Sequence, residues 1–240
     1  MAQHIGIVAC SAEGAALCYR TICVEGADLM GQHAHPEVSM HTYPLSNYMR
    51  NIAPGNWNGV ADLMVSSAEK VAALGADFAI CPDNTIHQAF ERVVDRSPIP
   101  WLHIAGEVAA EAARNNHHCL AVLGTKYLME GPVYPAKLDA LGIAHCIPQP
   151  EERERINHII FHELVNGIFT DASRAYFAGV INRLKDRGCD AAVLGCTEIP
   201  LLISPEDASL PTLDSTRLLA RAALKRATTR VAPANAGPQT

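Results

Sequence analysis

The feature that most constrains this chain is a recurrence. A short apolar run closed by a hydroxyl-bearing turn occurs twice, as Ile5-Gly6-Ile7-Val8-Ala9-Cys10-Ser11 and as Leu120-Ala121-Val122-Leu123-Gly124-Thr125. Downstream of the first, Gly75-Ala76-Asp77-Phe78-Ala79-Ile80 leads into Asp83-Asn84-Thr85. Downstream of the second, Gly188-Cys189-Asp190-Ala191-Ala192-Val193 leads into Cys196-Thr197-Glu198. Ser11 and Asp83 stand 72 residues apart, and Thr125 and Cys196 stand 71 apart. Two ordered pairs at nearly equal spacing predict two similar lobes whose strand ends face each other across a cleft.

The runs themselves set the architecture. They are too short and too uniformly apolar for strands with one wet face, and helical patterns separate them: 57–74, closed by Gly75 as a C-cap, 105–114, 131–141, 151–167, 171–187 and 216–226. Further strand-like runs lie at 38–43 and 99–104. Short buried strands alternating with helices predict an α/β fold with mostly parallel sheets covered on both faces. In such sheets ligands bind beyond the carboxyl ends of the strands. The first lobe is expected over 1–105 plus 209–230, with the last helix crossing back to it. The second lobe is expected over 106–208, and 231–240 is expected to be a disordered tail.

Composition removes several classes of function. At 240 residues, 49% hydrophobic and 18% charged, the chain is long and apolar enough for a packed core. A net charge of −6 offers no basic surface for nucleic acid or an anionic membrane. No apolar run approaches the ~18 residues of a membrane span. The start, Met1-Ala2-Gln3-His4, has no secretory pattern, so a cytoplasmic location is expected. The eight cysteines, at 10, 18, 23, 81, 119, 146, 189 and 196, contain no CxxC pair and no zinc-type spacing. They read as free thiols, most of them buried. His33, His35 and His41 are too loosely spaced to predict a metal site, and none is expected.

The turns carry the chemistry. Pseudo-symmetry would place Asp83 and Cys196 on opposite sides of one ligand. Two opposed proton carriers are what stereoinversion at a carbon acid needs: one removes the α-proton from one face and the other protonates the opposite face. Backbone N–H groups at helix starts would bind a carboxylate and stabilise the enediolate, with Asn84, Thr85 and Thr197 adding side-chain donors. There is no Walker A motif and no GxGxxG after the first strand. No cofactor is required. Asp83 can equally serve as a helix N-cap.

Several segments together resemble the PLP-independent aspartate/glutamate racemase family over about residues 4–226. They are Ile5-Gly-Ile-Val-Ala-Cys-Ser-Ala-Glu-Gly-Ala15, Asp83-Asn84-Thr85-Ile86-His87, Leu123-Gly124-Thr125, Gly195-Cys196-Thr197-Glu198-Ile199 and Pro211-Thr212-Leu213-Asp214-Ser215-Thr216. The resemblance implies two Rossmann-like lobes, an interlobe active site, an amino-acid or other small carboxylate substrate and a homodimer. It makes Asp83 and Cys196 the catalytic pair, with Asp83 standing where the family carries a first cysteine. A register slip past Pro82 would let Cys81 serve instead. Cys10 replaces a family methionine, and Cys10, Ser11, Thr125 and Glu198 join the expected substrate contacts. Where some members grip a distal carboxylate this chain has Ile52, with Arg50 nearby as a substitute. No clear diacid clamp remains, so the substrate need not be aspartate or glutamate. A racemase or epimerase of amino acids is the leading expectation. A decarboxylase or isomerase using Cys196 alone, and an inactive carboxylate binder, are the alternatives.

Overall fold

The computed structural model describes residues 2–229, so the tail at 231–240 lies outside the described residues. Two parallel sheets form the framework. The first has the order β2-β1-β3, built from β1 (Ile5–Ala9), β2 (Val38–Thr42) and β3 (Phe78–Ile80). The second has the order β5-β4-β6-β7, built from β4 (Cys119–Leu123), β5 (Ala144–Cys146), β6 (Ala191–Leu194) and β7 (Thr212–Asp214). The spatial order β2-β1-β3 is repeated by β5-β4-β6, which is the recurrence of the sequence expressed as topology.

Helices cover the faces. Those of the first half are α1 (Ala12–Met30), α2 (Leu45–Ile52), α3 (Trp57–Ala73), α4 (Phe90–Val94) and α5 (Ile104–Arg114). Those of the second are α6 (Lys126–Met129), α7 (Val133–Asp139), α8 (Pro150–His162), α9 (Asp171–Asp186), α10 (Ile199–Leu202) and α11 (Ser215–Thr228). Strand side chains alternate between faces, so each sheet feeds two cores. Ile5, Ile7, Phe78 and Ile80 pack with α1 and α11, whereas Val8 and Ala79 pack with α2 and α3. Ala121, Leu123, Ala192 and Leu194 pack with α8 and α9, whereas Leu120, Val122, Ala191 and Val193 pack with α5 and α7. Among the described residues no helix is long and apolar enough to cross a membrane.

The two closing helices are exchanged. α5 follows the first sheet in the chain, yet Ala105, Val108, Ala109 and Ala112 pack into the core of the second. α11 follows the second sheet, yet Leu219, Ala220, Ala223 and Leu224 pack against β1 and β3.

Several elements differ from the sequence reading. The run 99–104 is not a strand but a single bridge, Ala79 to Trp101. Pro98 and Pro100 remove the N–H groups that a ladder would need. β7 pairs with β6, so 209–230 is divided: its strand extends the second sheet and only its helix joins the first lobe. α2 and β5 were not anticipated because they are short: α2 has 8 residues and β5 has 3.

A buried polar chain ties the halves together. Tyr134 Oη donates to Asn84 Oδ1 at 2.8 Å, Asn84 Nδ2 donates to Ser215 Oγ at 2.9 Å, and Ser215 donates to the Leu194 carbonyl at 2.8 Å. Asn84→Ala would strand the Tyr134 hydroxyl in the interior. A stability loss of about 2–4 kcal/mol is expected, measured by urea denaturation.

Candidate active site

The turns after β1, β3, β4 and β6 converge on one cavity of about 30 Å³. Its polar wall consists of Cys10, Ser11, Asp83, Thr85, Thr125, Tyr127, Cys196 and Glu198. Each turn delivers its side chain because the strand ends there and the next element begins: Ser11 is the N-cap of α1 and Thr125 that of α6. Two hydroxyl pairs close the gap between lobes. Ser11 Oγ lies 3.3 Å from Thr197 Oγ1, and Thr85 Oγ1 lies 2.8 Å from Thr125 Oγ1. Gly14 permits this approach, since a Cβ there would come within 2.2 Å of Thr197 Oγ1.

Asp83 and Cys196 reach the cavity from opposite lobes. Asp83 Oδ1 accepts the Ile86 N–H at 3.1 Å, so the carboxylate also caps the turn that follows it. His87 pins the same turn. Its Nδ1 bonds the Asp83 carbonyl at 2.6 Å and its Nε2 accepts the Ile104 N–H at 3.3 Å, an arrangement assigned to the neutral Nδ1–H tautomer. Burial lowers the His87 pKa to about 4, which keeps the ring neutral at pH 7. Cys196 Sγ donates to Glu198 Oε2 at 2.9 Å, and Thr197 donates to the same oxygen at 3.2 Å. Glu198 is buried, and its Oε1 has no hydrogen-bond partner among the described residues.

Burial governs the proton affinities. It raises the Asp83 carboxyl to about 6, with the Glu198 charge adding to the rise and the Ile86 N–H opposing it. Burial, then the Glu198 charge, pushes the Cys196 thiol well above its ordinary value. Both rise, so the gap persists, and near neutral pH the pair rests mainly as Asp83 carboxylate and Cys196 thiol.

The remaining wall is apolar: Leu45, Met49, Ile52, Ile160, Phe161 and Val165. Among the described residues no lysine, arginine or histidine lines the cavity. Arg50 does not reach it. Leu45, Met49 and Ile52 present one helical face, and Arg50, rotated by about 100° from Met49, is exposed with Nη1 3.5 Å from Asn47 Oδ1. Asn84 and Thr197 do not line the cavity either. Asn84 spends both polar ends on the chain from Tyr134 to Ser215, and Thr197 bonds Ser11 and Glu198. Cys81 is fully buried in the core between β1, β3 and α3. The contributions of Tyr127, Ile160, Phe161 and Val165 were missed; they sit in ordinary apolar segments, and nothing in the sequence marks them.

The raised Asp83 pKa has a stability consequence. Between the unfolded value near 3.8 and the folded value of about 6 the native state binds the extra proton. Stability contributed by Asp83 is therefore lost as pH rises through that window. Asp83→Asn should match the parent protein near pH 4 and exceed it near pH 7.5, by at most about 3 kcal/mol. Urea denaturation at the two pH values checks this; an equal difference at both would contradict it.

Known proteins share this fold. The profile of the Asp/Glu/hydantoin racemase family matches residues 7–223. A broad specificity amino-acid racemase, RacX, of Bacillus subtilis is 21% identical over 187 residues, covering 78% of this chain and 80% of its own. A candidate Asp/Glu racemase from Yersinia pestis superposes with a TM-score of 0.86 at 29% identity, covering 95% of this chain and 100% of its own. An aspartate racemase homologue from Pyrococcus horikoshii gives 0.82 at 26%, with the same coverage. With two parallel sheets, an interlobe cavity and a family match over nearly its whole length, the chain belongs to the Asp/Glu/hydantoin racemase family.

Proposed function

We propose that the protein is an amino-acid racemase or epimerase that works without a cofactor, with Asp83 and Cys196 as opposed proton carriers. The observation that carries this reading is their convergence from opposite lobes on one cavity, in complementary protonation states. The Asp83 carboxylate removes the α-proton of one enantiomer. The Cys196 thiol then protonates the opposite face of the enediolate, leaving Asp83 protonated and Cys196 as thiolate. The other enantiomer runs the same steps backwards.

The wall chemistry supports an amino acid with an uncharged side chain. The unpartnered Glu198 Oε1 suits an ammonium group. The amino end of the 19-residue helix α1 and the spare hydroxyl proton of the Thr85–Thr125 pair suit a carboxylate. A second carboxylate would meet Asp83 and Glu198 with no cation to compensate. The apolar wall instead suits an aliphatic or aromatic group. At about 30 Å³ the cavity holds little more than a water molecule, so a substrate enters only as these walls or the lobes part.

Separate L- and D-amino acids in D₂O test the proposal by NMR and optical rotation. Loss of the α-proton with inversion is expected, faster for apolar side chains than for aspartate or glutamate. Release of CO₂ would assign a decarboxylase, and binding without exchange would assign a binder. Asp83→Asn and Cys196→Ala should each lower the rate by at least about 10²-fold, whereas Cys81→Ala should retain activity. Activity surviving in Asp83→Asn but lost in Cys81→Ala would reassign the first base to Cys81.

The pH dependence is equally specific. The two reactive microstates, Asp carboxylate with thiol and protonated Asp with thiolate, carry the same number of protons. kcat/KM should therefore rise through the same limb near pH 6 for both enantiomers. For a pure L/D pair the two kcat/KM values must also be equal, because the equilibrium constant is one; kcat and KM shift together. Unequal ratios in initial-rate measurements would rule out simple racemisation.

A further inference from the structure

We propose that Cys119, Cys146 and Cys189 form a binding site for a thiophilic d¹⁰ metal ion, zinc being the cation of choice. Their sulfur atoms all lie within 4.8 Å of one another, and the Sγ atoms of Cys119 and Cys189 are 3.7 Å apart. Zinc–sulfur bonds of about 2.3 Å at tetrahedral angles place two sulfurs about 3.8 Å apart. The pair is thus already at the separation of coordinated thiolates, and Cys146 needs only a small side-chain adjustment.

The sequence spacing predicted no metal site, because the three residues come from different strands. Cys119 begins β4, Cys146 ends β5 and Cys189 precedes β6. β5, β4 and β6 are neighbours in the sheet, with Cys119 paired to Ala144 and Leu120 to Ala191. Cys119 and Cys146 therefore share a face by the two-residue period of strands. Cys189 lies before the ladder of β6 begins and turns into the same core.

The site is braced and reachable. Asp190 accepts the backbone N–H groups of His118 at 2.7 Å and Cys119 at 3.3 Å, which clamps the Cys189 segment to the start of β4. Arg187 donates to the Ile147 carbonyl at 2.8 Å, placing a cation on the chain beside Cys146 and two residues before Cys189. Three thiolates on a divalent ion carry a net charge of −1, which that guanidinium complements. Cys189 is buried, while Cys119 and Cys146 are half-buried and leave an entry route and an open fourth position. Binding exchanges three S–H bonds for three metal–sulfur bonds and releases three protons to solvent. No oxidant is involved. The site stands at the opposite end of β4 from Thr125, about 20 Å from the catalytic cavity at ~3.3 Å per residue, so it concerns the scaffold and not the proposed reaction.

The test is a Cd²⁺ titration of the fully reduced protein, followed by the thiolate-to-metal charge-transfer band in the ultraviolet. One equivalent bound by three thiolates is expected. A large excess of Zn²⁺ should compete with Cd²⁺ for the site, and Zn²⁺ alone should raise the Tm of the parent protein. Cys146→Ser, a small change at a half-buried position, should weaken binding at least tenfold while the circular dichroism stays native. Cys119→Ser with Cys189→Ser should abolish the band. Cys196→Ala should leave it intact. The proposal is overturned if one equivalent gives no band, if the band reports fewer than three thiolates, or if it survives the cysteine-triad variants and disappears in Cys196→Ala.

Discussion

The reciprocal exchange of α5 and α11 is the constraint on which the rest of the structure depends. Each helix follows one sheet in the chain and supplies apolar side chains to the core of the other. Neither lobe can complete its core alone, so hydrophobic burial joins the lobes. The Tyr134–Asn84–Ser215 chain and the two hydroxyl pairs then set the lobes to hydrogen-bonding distance. Facing strand ends, and the cavity between them, follow from that closure.

Within the cavity burial does two things at once. It raises the proton affinity of both Asp83 and Cys196, so their order of acidity survives and one resting microstate dominates near neutral pH. It also makes any uncompensated charge expensive. On the proposed reading, a wall with two carboxyl groups and no cation among the described residues would discriminate by ligand charge: an ammonium group would find a partner, and a second carboxylate would not. A carboxyl lifted to about 6 remains a base at neutral pH, where a buried thiol would hold its proton.

Much of this was legible in the chain because it is local. β1, β3, β4 and β6 are short runs buried on both faces, and each ends in a turn whose polar residue had to point beyond the sheet. Seven of the expected site residues, Cys10, Ser11, Asp83, Thr85, Thr125, Cys196 and Glu198, line one cavity. The misplacements share a cause. Arg50 was placed by proximity in sequence to Ile52, yet helix rotation carries it to solvent. Asn84 and Thr197 sit in the right turns, but their partners come from remote segments that no local pattern announces.

By itself, the sequence determined the repeat, the parallel α/β class and the turns that bear the reactive groups, because strand alternation and turn chemistry act over a few residues. Tertiary structure decided that β7 rather than the proline-broken run at 99–104 forms a strand. It decided that a hydrophobic wall from α2 and α8 faces the reactive pair. It also brought three widely spaced cysteines to one sheet end. Those outcomes depend on packing between distant segments, where contacts are chosen by shape and burial and not by neighbours along the chain.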